Sequence, residues 1–404
     1  MDLDQIRADF PMLSRQIKGR PLIYFDNACM SLRPQAVLTE IQRYYTEMSA
    51  CAGRSNHRLA RAVTEAVSAV RESVKNFIGA KLAEEIIFTR NTTEGINLVA
   101  NSLELKAGET VLISDKEHNS NLVPWLKLQR TRGIKLAVVK STPDNRFDQV
   151  RFEQALTQER PKLVSWVMTS NLDGVTNPIE TITQLAHRAG ALVMVDAAQS
   201  VPHQPVKVTE LEVDFLAFSG HKMMGPSGIG GLYGKKTCLD KMEGFLVGGD
   251  TVVSTTYTDY QHLPLPEKFE AGLQDYAGIM GLGAAVDYLT KIGWDKLKSH
   301  ESHLNQIISQ GLREINGLKI IGPKDPKLRG SIVAFYLEGV DPHQIAALLD
   351  EAYGIMVRSG QHCVHSWFND RGIQGSVRAS SYFYNTEAEA VSLVEAVKAV
   401  RRMV

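Results

Sequence analysis

A doubly wound, mostly parallel α/β sheet followed by a smaller α+β domain is the architecture that this 404-residue sequence predicts, and three observations predict it. From about residue 85, short β-branched runs alternate with helical stretches. Two of those runs, KLVSWVMTS (162–170) and ALVMVDAA (191–198), are apolar almost throughout, as parallel strands buried on both faces are. Beyond about residue 291 the pattern changes to strands mixed among longer helices.

Taken in order, EIIFTR (85–90) reads as a strand, with a helix opening at TTEGINLVANSL. TVLIS (110–114) and KLAVVK (135–140) are the next two strands, and the two apolar runs follow. Between those runs, IETITQLAHRAG has helical spacing and a glycine stop. DFLAFS (214–219) and GIGGLYG (228–234) complete the series. Residues 277–316 read as mostly helical; SIVAFYL (331–337), the helical DPHQIAALLDEA, the strand-like GIMVRSG and a final helix from Glu387 make the tail. The expected division is a large α/β domain over 20–290 and a small α+β domain made of 1–19 with 291–404.

Composition excludes several classes. Lys plus Arg and Asp plus Glu both total 45, so the formal net charge is zero and there is no basic excess for nucleic acid. Four cysteines, at 29, 51, 238 and 363, contain no CxxC pair, which argues against a disulfide framework and fits a reducing, cytoplasmic setting. No run approaches 18 apolar residues, and the opening MDLDQIRADFPML carries early acids, so neither a membrane span nor a secretory leader is expected.

In an open α/β sheet, ligands bind beyond the carboxyl ends of the strands. Thr92 and Thr93, His118, Asn171, Asp196 with Gln199, and Ser219, His221 and Lys222 all fall at such ends. Lys222 in FSGHKMMGPSGIG is either a surface loop lysine or an amine whose desolvation suits it to nucleophilic use. Asp196 closes an apolar run, so it either caps the next turn or meets a cation such as a protonated heterocycle. Asn91-Thr92-Thr93-Glu94 is a helix start that serves as a cap or as a phosphate site. His118 is a cap, a core histidine or a site residue. Neither a dinucleotide glycine fingerprint nor a GxxxxGK[ST] loop occurs. His362, Cys363 and His365 lie too close in sequence to close one zinc site, so no metal is expected.

Ten ordered blocks over about 370 residues carry a family resemblance: IRADFPML, YFDNA, FTRNTTEGINLVANS, EHNSNLVPW, SNLDGVTNP, VDAAQSVPH, DFLAFSGHKMMGPSGIGGLYG, FEAG, VRSGQHC and RASSYFYNT. The chain resembles a fold type I pyridoxal-phosphate enzyme of the class V aminotransferase branch, most closely a group II cysteine desulfurase/selenocysteine lyase.

The resemblance implies that Lys222 binds pyridoxal 5'-phosphate covalently and that Asp196 keeps the ring nitrogen protonated. It implies that His118 stacks on the ring, that Gln199 and Asn171 hold the ring hydroxyl and its surroundings, and that Thr92, Thr93, Ser219 and His221 hold the phosphate. Arg378 is expected to grip the substrate carboxylate, with Asn171 and Arg54 beside it.

Cys363, after R-x-G-x-H, is the implied sulfur acceptor; read without the resemblance, a lone cysteine is more often a buried, inert thiol. The implied reaction converts L-cysteine to L-alanine and leaves a persulfide on Cys363, for delivery to an acceptor protein or iron–sulfur scaffold from a homodimer. The alternatives are a selenocysteine lyase or cysteine sulfinate desulfinase, an aminotransferase or β-lyase without sulfur transfer, and a silent binding protein. Four departures stand out: Asn119 replaces a histidine of E-H-H-A-N, Leu273 a threonine, Gly53 a histidine before Arg54, and VHSWFND the usual run after the cysteine, with His365 and Trp367 in it.

Overall fold

The computed structural model describes residues 2–404. Its large sheet holds β1 (Ile86–Thr89), β2 (Thr110–Ser114), β3 (Lys135–Val139), β4 (Leu163–Val167), β5 (Leu192–Asp196), β6 (Phe215–Ser219) and β7 (Gly230–Gly234), in the order β1-β7-β6-β5-β4-β2-β3. β2 to β6 pair in parallel, and β7 runs against both of its neighbours. β1, β2, β4, β6 and β7 are buried throughout and β5 nearly so; only the edge strand β3 alternates with solvent. One apolar core lies on each face of the sheet.

The glycines of β7 answer a packing demand. A Cβ on Gly231 would come within 2.5 Å of the Phe218 ring, and one on Gly230 within 2.5 Å of the Phe218 carbonyl. Only glycine lets this antiparallel strand slot between β1 and β6.

The chain runs from β2 outward to β3, then returns past β2 to β4, β5 and β6. That reversal leaves a crevice at the carboxyl ends of β2 and β4, where a doubly wound sheet receives ligands. β1 is parallel to β6, so its carboxyl end opens on the same edge.

A second sheet, β8 (Leu318–Ile320), β9 (Ile332–Leu337), β10 (Arg358–Gly360) and β11 (Ser376–Ser380), is ordered β8-β9-β11-β10 and antiparallel throughout. Helices Trp294–Arg313, Pro342–Tyr353 and Glu387–Arg401 complete its own core.

GIMVRSG does not form one strand. Ile355–Met356 pairs in parallel with Ile23–Tyr24, and only Arg358–Gly360 joins the small sheet, because the chain changes partners at Val357. The N-terminal segment also crosses between cores: Phe10 and Leu13 enter the large one, and Phe25 the small one. A hairpin at Val252–Thr255 and Tyr260–His262 projects mostly into solvent and has no counterpart among the expected elements. No helix among the described residues is long and apolar enough to cross a membrane.

Candidate active site

One cleft gathers the strand-end residues. It is lined by Thr92, Thr93, His118, Asn171, Asp196, Gln199, Ser219, His221 and Lys222 from the large sheet's edge, and by Arg358, His362, Cys363 and Arg378 from the small sheet. Ala28 and Cys29 of the N-terminal segment close it.

Asp196 is the last residue of β5 and is buried; the Ala198 amide donates to its Oδ1 at 3.0 Å. Burial pushes its carboxyl up, while the nearby Lys222 ammonium pulls it down. Lys222 closes a short 3-10 turn after β6 and keeps part of its surface open to the cleft. Enclosure by the surrounding protein lowers its amine below the ordinary value; Asp196 opposes that, and Arg378 adds to it. The strand that places the acid and the turn that places the amine thus aim both at one space.

His118 follows β2. Burial brings its imidazole down to about 3, with Lys222 and Arg378 contributing, so the ring is neutral at physiological pH. Its Nδ1 accepts from the Ser120 amide at 3.0 Å, which fixes the ring's orientation. Beneath it lies Glu117, which receives hydrogen bonds from the Val167 amide at 3.0 Å and Asn121 Nδ2 at 2.7 Å. Burial nevertheless drives this carboxyl up to about 8.

A polar cradle forms where helix Thr92–Ser102 meets β6. The Ser219 hydroxyl accepts from the Thr92 amide at 2.9 Å and lies 2.7 Å from Thr92 Oγ1; Thr93 Oγ1 lies 2.7 Å from Ser120 Oγ. His221 stands beside it, its imidazole brought down to about 4 by burial and Lys222. Hydroxyls at a helix N-terminus suit a phosphate. Two buried acceptors facing the cleft, Asn171 Oδ1 and Gln199 Oε1, have no hydrogen-bond partner, although both side-chain amides are anchored: Asn171 Nδ2 to the His362 carbonyl at 2.8 Å, Gln199 Nε2 to the Ala28 carbonyl at 2.6 Å. Oriented, unsatisfied acceptors call for a bound donor. The residues present therefore fit pyridoxal phosphate.

The opposite wall is cationic. Arg358 and Arg378 are register partners on β10 and β11, so two guanidinium groups share one face. Like charges so placed repel. Asp26 separates them, 3.5 Å from Arg378 Nη2 and 3.8 Å from Arg358 Nη1. Arg378 is buried, donates to the Asn171 carbonyl at 3.0 Å and leaves Nε without a partner. Cys363 and His362 both have left-handed backbone, φ 60° and 48°, a strained conformation for residues with side chains. The loop is held by the Asn119 amide donating to the Cys363 carbonyl at 2.7 Å and by Asn119 Nδ2 meeting His365 Nδ1 at 2.8 Å. Two of the departures from the family pattern therefore hold one another.

One expected residue lies elsewhere. Arg54 does not line this cleft; its loop reaches toward the turn at Gly248–Asp250, where its guanidinium pairs with Asp250. Sequence reasoning in turn missed Asp26, Cys29 and Glu117. The first two sit in the YFDNACM segment, part of which carries the family resemblance, but nothing local there points to a role for either side chain. Glu117 directly follows a strand whose neighbour His118 had drawn attention. The described residues hold no group of three or more His, Cys, Asp or Glu side chains arranged for a metal.

The chain is similar to known proteins over nearly its whole length. The profile of the family described as Aminotransferase class-V matches residues 23–393. A protein of Streptomyces coelicolor named "Probable cysteine desulfurase" is 41% identical over 99% of this chain and 97% of its own length. The apo structure of a cysteine desulfurase from Thermococcus onnurineus superposes with a TM-score of 0.93 at 36% identity, covering 99% of this chain and 98% of that one. The cysteine desulfurase CsdA of Escherichia coli, solved in an S-sulfonic acid form, gives 0.91 at 33% identity, covering 100% and 99%.

Proposed function

The chain belongs to the class-V aminotransferase family, and on that premise we propose that it is a cysteine desulfurase, which converts L-cysteine to L-alanine and takes the sulfur onto Cys363. The observation that carries this reading is the meeting of an amine, Lys222, and a thiol, Cys363, across one cleft whose far wall presents Arg378.

Lys222 would hold pyridoxal phosphate covalently and Asp196 its ring nitrogen. His118 would cover the ring face, Gln199 and Asn171 would meet the ring hydroxyl, and Thr92, Thr93, Ser219 and His221 would receive the phosphate. When bound, the cofactor supplies a sink for the electron pair left at the substrate Cα.

The chain's own side chains do the rest. Arg378 pairs with the substrate carboxylate and orients Cα toward Lys222. The lowered amine of Lys222 takes the Cα proton and returns it. Cys363 thiolate attacks the substrate sulfur; the sulfur–Cβ bond breaks with its electron pair left on Cβ, a sulfur–sulfur bond forms, Cβ takes up a proton from solvent, and alanine leaves.

A homodimer delivering the persulfide to a sulfur-acceptor protein or iron–sulfur scaffold in the cytoplasm completes the reading. Support for a second subunit comes from the segment around the hairpin, where Leu246, Val247, Val253, Tyr260 and Leu273 are exposed. The same interface is where Arg54, displaced from this chain's own cleft, would find a substrate. The test is incubation of the pyridoxal-phosphate-loaded protein with L-cysteine and a reducing thiol. Alanine and sulfide in equal amounts are expected; pyruvate with sulfide, or no alanine, contradicts the assignment.

A further inference from the structure

Two of the four cysteines face the same cleft. Cys363 hangs from the small-sheet loop, and Cys29, on the N-terminal segment, lines the cleft with it. Cys51 is exposed outside the cleft, and Cys238 packs against a core of the large sheet. Nothing in the mechanism above uses Cys29.

Its surroundings are those of a working thiol. Arg358 Nη1 donates to Cys29 Sγ at 2.9 Å, so the sulfur is held by a directed contact in the cleft. Arg378, buried with Nε unpartnered, lines the same space, as does the unpartnered Asn171 Oδ1. Those atoms are the ones assigned above to the cofactor and the substrate carboxylate, so Cys29 borders the space in which the sulfur is released. Cys29 also sits at a boundary in the chain: Ala28 before it is buried, and Met30 after it is exposed.

We propose that Cys29 is a second sulfur carrier, which receives the sulfane sulfur from Cys363 and holds it at the mouth of the cleft. The inference rests on the desulfurase reading above. The step balances without an outside oxidant. Cys29 thiolate attacks the terminal sulfur of the Cys363 persulfide, and a bond forms between Cys29 Sγ and that sulfur. The bond from that sulfur to Cys363 Sγ breaks, and Cys363 leaves as a thiolate that takes up the proton Cys29 gave away. A persulfide extends Cys363 by one sulfur–sulfur bond of about 2 Å, which lengthens its reach within the cleft that both cysteines line. Arg358 holds the attacking sulfur in place, and the emptied Cys363 is free for the next substrate.

Time-resolved mapping tests the relay. The pyridoxal-phosphate-loaded enzyme receives one equivalent of L-cysteine, is alkylated at successive times, and its four cysteine peptides are weighed. The mass of one sulfur atom is expected first on the Cys363 peptide and then on the Cys29 peptide as the first signal falls, with Cys51 and Cys238 unchanged. In Cys29→Ser and Cys29→Ala the sulfur should stay on Cys363, and in Cys363→Ala none should reach Cys29.

A wild-type enzyme that makes alanine and loads Cys363 but never Cys29 overturns the relay and leaves the desulfurase reading standing. Sulfur on Cys29 in Cys363→Ala overturns the order of transfer. A Cys29–Cys363 disulfide with sulfide released shows attack on the inner sulfur and overturns the carrier role. Failure to form alanine or load any cysteine overturns both proposals.

Discussion

The two sides of the cleft are built differently. The floor, with Lys222, Asp196, His118 and Ser219, grows from strand ends of a single sheet whose neighbours are buried on both faces. The wall, with Arg358, His362, Cys363 and Arg378, belongs to another sheet with its own core, and its thiol rides on a loop in left-handed backbone. Polar contacts tie the wall to the floor: Asn119 to Cys363 and His365, Asn171 to His362 and Arg378, and Arg371 to Asp115 at 3.2 Å. Trp367 adds a hydrogen bond to Asn145 at 3.3 Å, and Arg371 lies 4.3 Å above its ring. The difference teaches where each half of the chemistry sits. Proton movement is assigned to rigid strand termini, and sulfur capture to a piece that a few hydrogen bonds position.

If that division is right, damage to the floor silences every reaction and damage to the wall uncouples one from the other. Lys222→Ala removes the proton carrier, and alanine formation should fall roughly 10⁴-fold, the upper range for a lost general base; steady-state rates with added cofactor check it. Cys363→Ala should abolish persulfide while leaving the cofactor attached, as read from peptide masses and the visible absorption of the bound cofactor. Loss of both signals would erase the distinction between the two sides.

Arg378→Lys keeps the charge but not the planar fork, so kcat/KM for L-cysteine should drop by about 2 kcal/mol, roughly thirtyfold. Glu117→Gln probes the floor's support. Its new amide would face Asn121 Nδ2, a donor, and Asn121 cannot turn without giving up Ser165 at 2.6 Å. Because the folded carboxyl is held at about 8 against an ordinary 4.5, it costs stability that grows as the pH rises between those values and that a neutral amide escapes. The substitution should therefore destabilise most near pH 5 and progressively less toward pH 8, measured by denaturant titration at both.

A further effect is pH-dependent. His118 is held at about 3 in the folded chain against an ordinary 6.5, so between those values the unfolded chain binds the proton more tightly. Stability contributed by the neutral ring is present above pH 6.5 and is lost as the pH falls toward 3. The fall in unfolding midpoint between pH 7 and 4 should be shallower in His118→Gln.

The floor was largely legible in the sequence because its signals are local: an apolar run that stops at Asp196, a helix start at Thr92 and Thr93, and a lysine three residues past β6. Each side chain is placed by its own strand. The wall depends on pairings far apart in sequence. Arg358 meets Arg378 only through β-sheet register, and Asp26 reaches both because Ile23–Tyr24 pairs with Ile355–Met356. No periodicity within residues 20–30 announces that partnership, which is why Asp26 and Cys29 went unassigned. The departures Asn119 and His365 were visible singly; that they hydrogen-bond emerges only in three dimensions.

The floor assignment can be tested on a single bond. Two lysines lie at strand ends near the crevice. Lys116 is buried and committed to Asp173 at 3.3 Å, whereas Lys222 keeps an opening to the cleft and a depressed amine. Borohydride reduction of the pyridoxal-phosphate-loaded protein, followed by peptide mass mapping, should place the phosphopyridoxyl group on Lys222 alone. A label on Lys116, or spread over surface lysines with Lys222 unmodified, would contradict the account.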